Sequence, residues 1–325
     1  MEWAKMSKRS ARVRDPAARC TLGARAEQAV HDDIRPREKP WPQFDICDSQ
    51  YCQVYFGAHT ETEQTNRAIA ETQGQVALYN GEPILALFSS AHGGFGEAYA
   101  NAFSDPLTKQ FPAPAIAYLR GGPDIQAGAL VDLRSESAAR SFWTRRDIPS
   151  YDVNSPYYRW EKRWSRPELE QSLNKLLQEA SKDPLTKDFV KPHLGAGQTI
   201  GTLQRVNVTR RGVSGKAMDL EIIGTNGKWT LSKEFVIRKV LSHGGRFLPS
   251  ANVVFSHLTD PAGNLVALKA NGGGFGHGVG MSQLGASWMG KHGYVFPDII
   301  QHYYKGVSLG SVPLRVGKDD KHDTL

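Results

Sequence analysis

The chain is poor in cysteine, with three in 325 residues: Cys20, Cys47 and Cys52. An odd count excludes a closed disulfide framework, so the fold must rest on a buried core. Cys47 and Cys52 are placed either to pair in an exported protein or to stand as two free thiols in a turn. Long apolar runs are also absent. No stretch approaches the ~18 residues that a membrane span needs. Residues 1–25 contain no apolar h-region of a secretory signal. There is no His-Glu-x-x-His, no paired Cys-x-x-Cys and no Gly-x-Ser-x-Gly elbow, so the common zinc-hydrolase and serine-hydrolase signatures are missing. A zinc site would draw on the scattered Cys47, Cys52, His59 and His92; the expectation is no cofactor.

What is present is glycine (32) and proline (18) in a chain that is 40% hydrophobic and 22% charged. That composition supports a folded core built with many turns, and argues against a helical bundle or coiled coil. The net charge is +7. It is uneven: residues 1–40 hold ten Lys/Arg against six acids, and the remainder is only mildly basic. A nucleic-acid groove is therefore not expected.

Residues 1–43 lack a sustained apolar period and end in Pro36, Pro40 and Pro42. Gln53–Phe56 reads as a short strand, and Thr65–Thr72 as a helix stopped at Gly74. Gln75–Tyr79 and Pro83–Ser90 flank Asn80-Gly81, a strong hairpin signal because both turn residues tolerate positive φ. Residues 104–130 read as loop, and residues 140–165 as an aromatic, basic stretch with Trp143, Tyr151, Tyr157, Tyr158, Trp160 and Trp164. Those rings suit either a core or stacking on sugars. Ser165-Arg-Pro-Glu168 is a capping box opening a helix with Leu169, Leu173, Leu176, Leu177 and Ala180 on one face. Thr202–Arg210, Lys216–Ile223, Lys228–Leu231, Phe235–Leu241, Val253–His257 and Leu265–Ala270 read as strands. Met281–His292 and Asp298–Tyr304 read as helices. The fold class is α+β, β-rich.

The segment richest in chemistry is Gly272-Gly-Gly-Phe-Gly-His277-Gly-Val-Gly-Met-Ser-Gln283. Glycines on both sides of one imidazole imply unusual φ/ψ or backbone pressed against a ligand. Ser282 and Gln283 are expected in the first turn of the following helix, beside unpaired N–H groups. A second glycine-rich stretch, Ala91-His92-Gly-Gly-Phe-Gly-Glu97, follows the hairpin. Gly285–Lys291 imitates a phosphate loop but ends in His292 rather than Ser or Thr, and it lies inside a helical pattern, which excludes a nucleotide site there.

Several segments occur in one order: Tyr51-Cys-Gln-Val-Tyr55, Phe88-Ser-Ser-Ala-His92-Gly-Gly-x-Gly-Glu97, Tyr118-Leu-Arg120, Leu248-Pro-Ser250, Gly274-Phe-Gly-His-Gly-Val-Gly-Met-Ser-Gln283 and Ile299–Gly306. Together they resemble the SpoIID/LytB family, the stage II sporulation protein D and amidase-enhancer group, over about residues 44–310. The resemblance implies a SpoIID-like core with an inserted helix-plus-strands lobe. Residues 44–130 would form the first part of the core, 131–250 the lobe, 251–310 the closing part and 311–325 a tail. The segment 1–43 does not fit, as a frameshifted or divergent stretch would not.

The resemblance also implies a cell-envelope or extracellular protein acting on peptidoglycan glycan strands, with a cell-wall amidase as a partner. Sporulation members are lytic transglycosylases, in which one carboxylic acid protonates the glycosidic oxygen. It then takes the proton of the C6 hydroxyl that attacks C1, giving a 1,6-anhydro product. The family's acid lies in a Glu-Met-Pro element that this chain does not contain. Met1-Glu-Trp-Ala-Lys5 resembles the stretch just after it, which places the catalytic Glu upstream of Met1. Glu97 is the substitute acid within the chain. His277, Ser282, Gln283, His92, Ser89, Ser90 and Tyr303 are the expected substrate-binding residues, with no metal ligand assigned. The alternative is a non-catalytic glycan-binding module or amidase enhancer.

Overall fold

The computed structural model describes residues 61–127 and 131–311. The expected strand Gln53–Phe56, the cysteines, His59 and the 1–43 segment lie outside the described residues. In chain order the elements begin with α1 (Glu63–Glu71), β1 (Gln75–Tyr79), β2 (Glu82–Pro83), β3 (Phe88–Ser89), β4 (Phe95–Gly96), α2 (Tyr99–Ala102) and β5 (Gly122–Pro123). They continue with α3 (Glu136–Thr144), β6 (Trp160–Ser165), α4 (Arg166–Ala180), β7 (Val190–Lys191), β8 (Leu203–Arg211), β9 (Ala217–Gly224), β10 (Gly227–Ser232) and α5 (Glu234–Val240). The last are β11 (Val253–Thr259), β12 (Leu265–Gly272), β13 (Met281–Ser282), α6 (Gln283–Lys291), α7 (Phe296–Tyr303) and β14 (Ser308–Ser311). The architecture is mixed α+β with many short strands. Two compact units form. Of the described residues, one unit holds those up to Ala86 with Gly290–His302 and those from Gly306; the other holds Leu87–Met289 with Tyr303–Lys305.

In the first unit Thr62 caps α1, its hydroxyl accepting from Thr65 N. Asn80 (φ +53°) and Gly81 (φ +83°) make the tight turn between β1 and β2, as the Asn-Gly pair predicts. β14 pairs with the other edge of β1. The second arm of the hairpin is shorter than its apolar run implies. It pairs only at Glu82–Pro83, and Phe88–Ser89 pairs with β13 instead.

The second unit holds an antiparallel sheet in the order β7-β10-β9-β8 and another in the order β11-β12-β6. α4 forms where the leucine period predicts. Ser165 Oγ accepts from Glu168 N, Pro167 sits in the first turn, and Leu169, Leu173, Leu177 and Ala180 are fully buried. They pack with Leu220, Ile222, Leu231, Ile237, Val253 and Leu268 in one cluster that takes side chains from both sheets. β6, from the stretch expected in an inserted lobe, is hydrogen-bonded to β12 from the closing stretch.

Two elements differ from the sequence reading. Phe235–Leu241, read as a strand, is helical: Lys233 (φ +75°) turns the chain out of β10, and Val236, Ile237 and Val240 are buried at helical spacing. Its β-branched residues imitate a strand because burial, not propensity, decides the element. α3 was hidden in a polar stretch, capped by Ser135 and burying Ala139, Phe142 and Trp143. Of the aromatic stretch, Trp143, Tyr151, Tyr158, Trp160 and Trp164 are core, while Tyr157 lies at the surface against Phe275, ring centroids 4.3 Å apart.

Candidate functional site

Two glycine-bearing loops of the second unit are laced together. Phe275 N donates to Ala91 O (2.8 Å), Ala91 N to Phe275 O (3.3 Å), and Glu97 N to Gly278 O (2.7 Å). A methyl group on Gly93 would lie 2.7 Å from Gly274 N, and one on Gly274 would lie 2.8 Å from Ala91 O. Both residues have positive φ, so glycine is required twice over. β13 pairs parallel to β3 with Ser282 opposite Ser89, which brings these two serines side by side.

His277 rides on the outer turn of this lacing. It is partly exposed, with its ring edge-on to Phe103 at 5.2 Å. Its Nδ1 accepts from Val279 N (3.1 Å), and Nε2 has no protein partner among the described residues. Burial pushes its pKa down to about 4; Lys216, Arg238 and His92 push the same way, and Glu234 opposes them. Ser282 is not in the first turn of a helix, as expected from sequence. It is a buried strand residue just before α6, and its Oγ accepts from Gly285 N (3.1 Å). Gln283 opens α6 and is partly exposed. Ser90 contributes its carbonyl, accepting from Leu284 N (3.0 Å). Tyr303 is buried with its hydroxyl against Gly285, and its ring stands edge-on to His92 at 5.7 Å.

His92 lies in the interior, not at a ligand surface. It is 1% exposed, and Nδ1 sits 3.2 Å from Asp124 Oδ2, an ion-pair distance out of line for a hydrogen bond. Its backbone N–H and that of Gly93 both donate to Asp152 Oδ2 (2.6 and 2.7 Å), and Ser150 Oγ donates to Oδ1. Burial, reinforced by the Asp124 charge, raises the Asp152 carboxyl above its usual range. Arg159 grips the same loop by donating to Gly93 O (2.8 Å), with its guanidinium 4.2 Å above the Tyr158 ring; burial lowers its pKa to about 10. Among the described residues no group of three His, Cys, Asp or Glu could hold a metal ion. Of the scattered zinc candidates only His92 is described.

Glu97 is fully buried and wholly occupied. Oε1 accepts from Ala98 N (2.8 Å), Asn101 Nδ2 (2.7 Å) and Val213 N (3.0 Å); Oε2 accepts from Ser214 N (3.2 Å) and Ser214 Oγ (2.6 Å). The carboxylate thus clamps the tip of the β8–β9 hairpin. Gly212 permits the approach, since a side chain there would collide with Glu97. The tip is braced further by Trp143 Nε1 donating to Ser214 O (3.1 Å). Both oxygens of the residue expected as the substitute acid are thus hydrogen-bonded within the fold.

Sequence reasoning did not find Asp124, Asp152, Arg159, Ser214, Lys216, Glu234 or Asn252. Each lies in an ordinary-looking context, and only the fold gathers them around the two glycine loops.

Strand-paired glycine loops presenting one histidine, braced from behind by a hairpin tip, define a class of α+β protein with a built, glycine-dependent surface loop. The family described as "Stage II sporulation protein" matches residues 17–79, beginning inside the segment that the sequence reading set apart. The family described as "Domain of unknown function (DUF8618)" matches residues 106–280, more than half of the chain. The chain is 27% identical over 270 residues to the amidase enhancer of Bacillus subtilis (strain 168), an overlap covering 82% of this chain and 35% of that protein. It is 26% identical to stage II sporulation protein D of the same strain, over 84% of this chain and 62% of that one. With the stage II sporulation protein D of Bacillus amyloliquefaciens the identity is 29%, over 76% and 51%. The chain thus spans between about a third and three fifths of the length of these curated relatives. It belongs to the SpoIID/LytB family and, through residues 106–280, to DUF8618.

Proposed function

We propose that this protein binds the glycan strands of peptidoglycan through the His277 loop, in the cell envelope or outside the cell. The observation that carries the reading is the loop itself: glycines forced into contact by Gly93 and Gly274 hold one partly exposed imidazole with a nitrogen left for a ligand. Phe275 and Gln283 lie on the same stretch of chain as His277, Tyr157 packs against Phe275, and together they supply polar and stacking contacts suited to sugars. Among the described residues no helix is long and apolar enough to cross a membrane.

Lytic transglycosylation is the second reading, favoured by the intact Gly-His loop motif. It needs a carboxylic acid free to protonate a glycosidic oxygen. Four described carboxylates around the two loops are engaged: Glu97 by five donors, Glu234 by Arg238 Nη1 (3.3 Å), Asp152 by three donors and Asp124 beside His92 Nδ1 (3.2 Å). An acid for this chemistry would come from outside the described residues. Without one, the protein serves as a glycan-binding partner of a wall amidase, in keeping with the relative named amidase enhancer.

The test is a digest of amidase-stripped glycan strands by the purified chain, read by mass spectrometry beside a pull-down on the same strands. Retention of intact strands supports binding without cleavage. Products with 1,6-anhydro ends establish the transglycosylase reading. No retention and no cleavage defeats both.

A further inference from the structure

The most unusual group in the second unit is Lys216. It is fully buried, and its Nζ has no hydrogen-bond partner among the described residues. A buried ammonium without an acceptor is costly, so such a group calls for a reason. Lys216 sits at the tip of the β8–β9 hairpin, two residues after the Ser214 that Glu97 clamps. Its stem runs under the histidine loop: a methyl group on Gly278, the residue after His277, would meet Lys216 Nζ at 3.7 Å and Glu97 Cβ at 3.8 Å. The hairpin tip is therefore fixed by one side chain and aims the next charged one at the loop.

We propose that Lys216 is a positioning residue for His277, fixing it with Val279 as the Nε2–H tautomer that donates to an uncharged oxygen of the ligand, a sugar hydroxyl or an amide carbonyl. The Val279 N–H occupies Nδ1, so a single ring proton must reside on Nε2. A second proton would have to enter beside the Lys216 cation. The titratable groups around the ring are Lys216 from the hairpin tip, Glu234 and Arg238 from α5, and His92 from the other loop. Glu234, the strongest of them, favours an imidazolium, while Lys216 and Arg238 repel it on top of the burial. Glu97 and Glu234 favour the charged form of Lys216 against its burial, which lowers its pKa. The ligand chemistry named here rests on the glycan reading above; the state of the imidazole does not.

The experiment is 15N NMR of histidine-labelled full chain without ligand. The unmodified protein is expected to show His277 as neutral Nε2–H at neutral pH, titrating near 4. Lys216→Met, which keeps the stem and removes the charge, is expected to raise that midpoint by about one pH unit, the size of effect that one nearby charge supplies. Lys216→Arg is expected to restore it. A lysine retained only for packing would leave the midpoint of Lys216→Met unmoved, and that result overturns the proposal. Should neither Lys216→Met nor Lys216→Gln fold, the unmodified protein decides: Nδ1–H at His277, or a midpoint at the ordinary 6.5, defeats the proposal, and Nε2–H titrating near 4 upholds it. Binding of amidase-stripped glycan strands is then measured between about pH 5 and pH 8, where a neutral donor predicts a flat profile. Strands that fail to bind at all count against the glycan reading and leave the NMR result standing.

Discussion

At Glu97 five donors converge on one carboxylate, three of them from Val213 and Ser214 of the hairpin tip. A carboxamide keeps one acceptor oxygen but turns an NH2 toward groups that are themselves donors. Glu97→Gln is therefore expected to lower stability by about 2–4 kcal/mol in urea unfolding. Unchanged stability with lost activity would contradict the folding role. Asp152 makes a different prediction. Its folded pKa lies above the ordinary 3.8, so the folded state holds the proton more tightly than the unfolded state. Stability from that group is complete below the unfolded pKa and is lost as pH rises through the folded one. Asp152→Asn keeps an oxygen for the His92 and Gly93 amides and removes the titration. The wild-type stability minus that of Asp152→Asn should decline as pH rises from about 4 toward neutrality, in denaturant titrations at several pH values. His277 and Glu97 were both visible in the sequence as polar residues among glycines; which one stands partly exposed and which one lies in the core was not.

Among the elements, the lacing of the two glycine loops carries the site. Gly274→Ala places a methyl group 2.8 Å from Ala91 O at φ +80°. It is expected to cost about 2 kcal/mol or more, since both the conformation and the close approach are violated. Gly263→Ala is the control: φ is +85° but nothing lies within 4 Å, so only the backbone cost of about 1 kcal/mol applies. Thermal unfolding of the two variants separates the terms; equal losses would mean the lacing contributes little. The periodic leucines of α4 and the Asn80-Gly81 turn were legible because local spacing and turn chemistry agree with the final contacts. α5 was misread because Val236, Ile237 and Val240 suit a strand as well as a helix, and the choice is made by the sheet they pack against. The short β3 was misread as part of a hairpin because its partner, β13, lies almost two hundred residues away.

For the whole molecule, the charge of +7 is concentrated at the N-terminal end. On the proposed wall-binding function, anionic wall polymers contribute a salt-sensitive part of the binding, screened within a Debye length of about 10 Å at 0.1 M. Contacts from a neutral imidazole and aromatic rings should not be screened. Retention on sacculi carrying anionic polymers is expected to weaken with added salt, while retention on sacculi stripped of them stays level in a co-sedimentation assay. Equal salt sensitivity of both would point to charge, not the loop, as the means of attachment.

The sequence by itself determined the α+β class, the amphipathic α4, the glycine loops and the family, because these are written in local periodicity, turn residues and contiguous motifs. Tertiary structure alone decided the roles of the charged groups. Asp124, Asp152, Glu97, Lys216 and Glu234 come from separate parts of the chain and meet only in the folded second unit. Whether a carboxylate is an acid, a clamp or a counter-ion depends on the donors and charges within a few ångströms, and chain order does not hold that information.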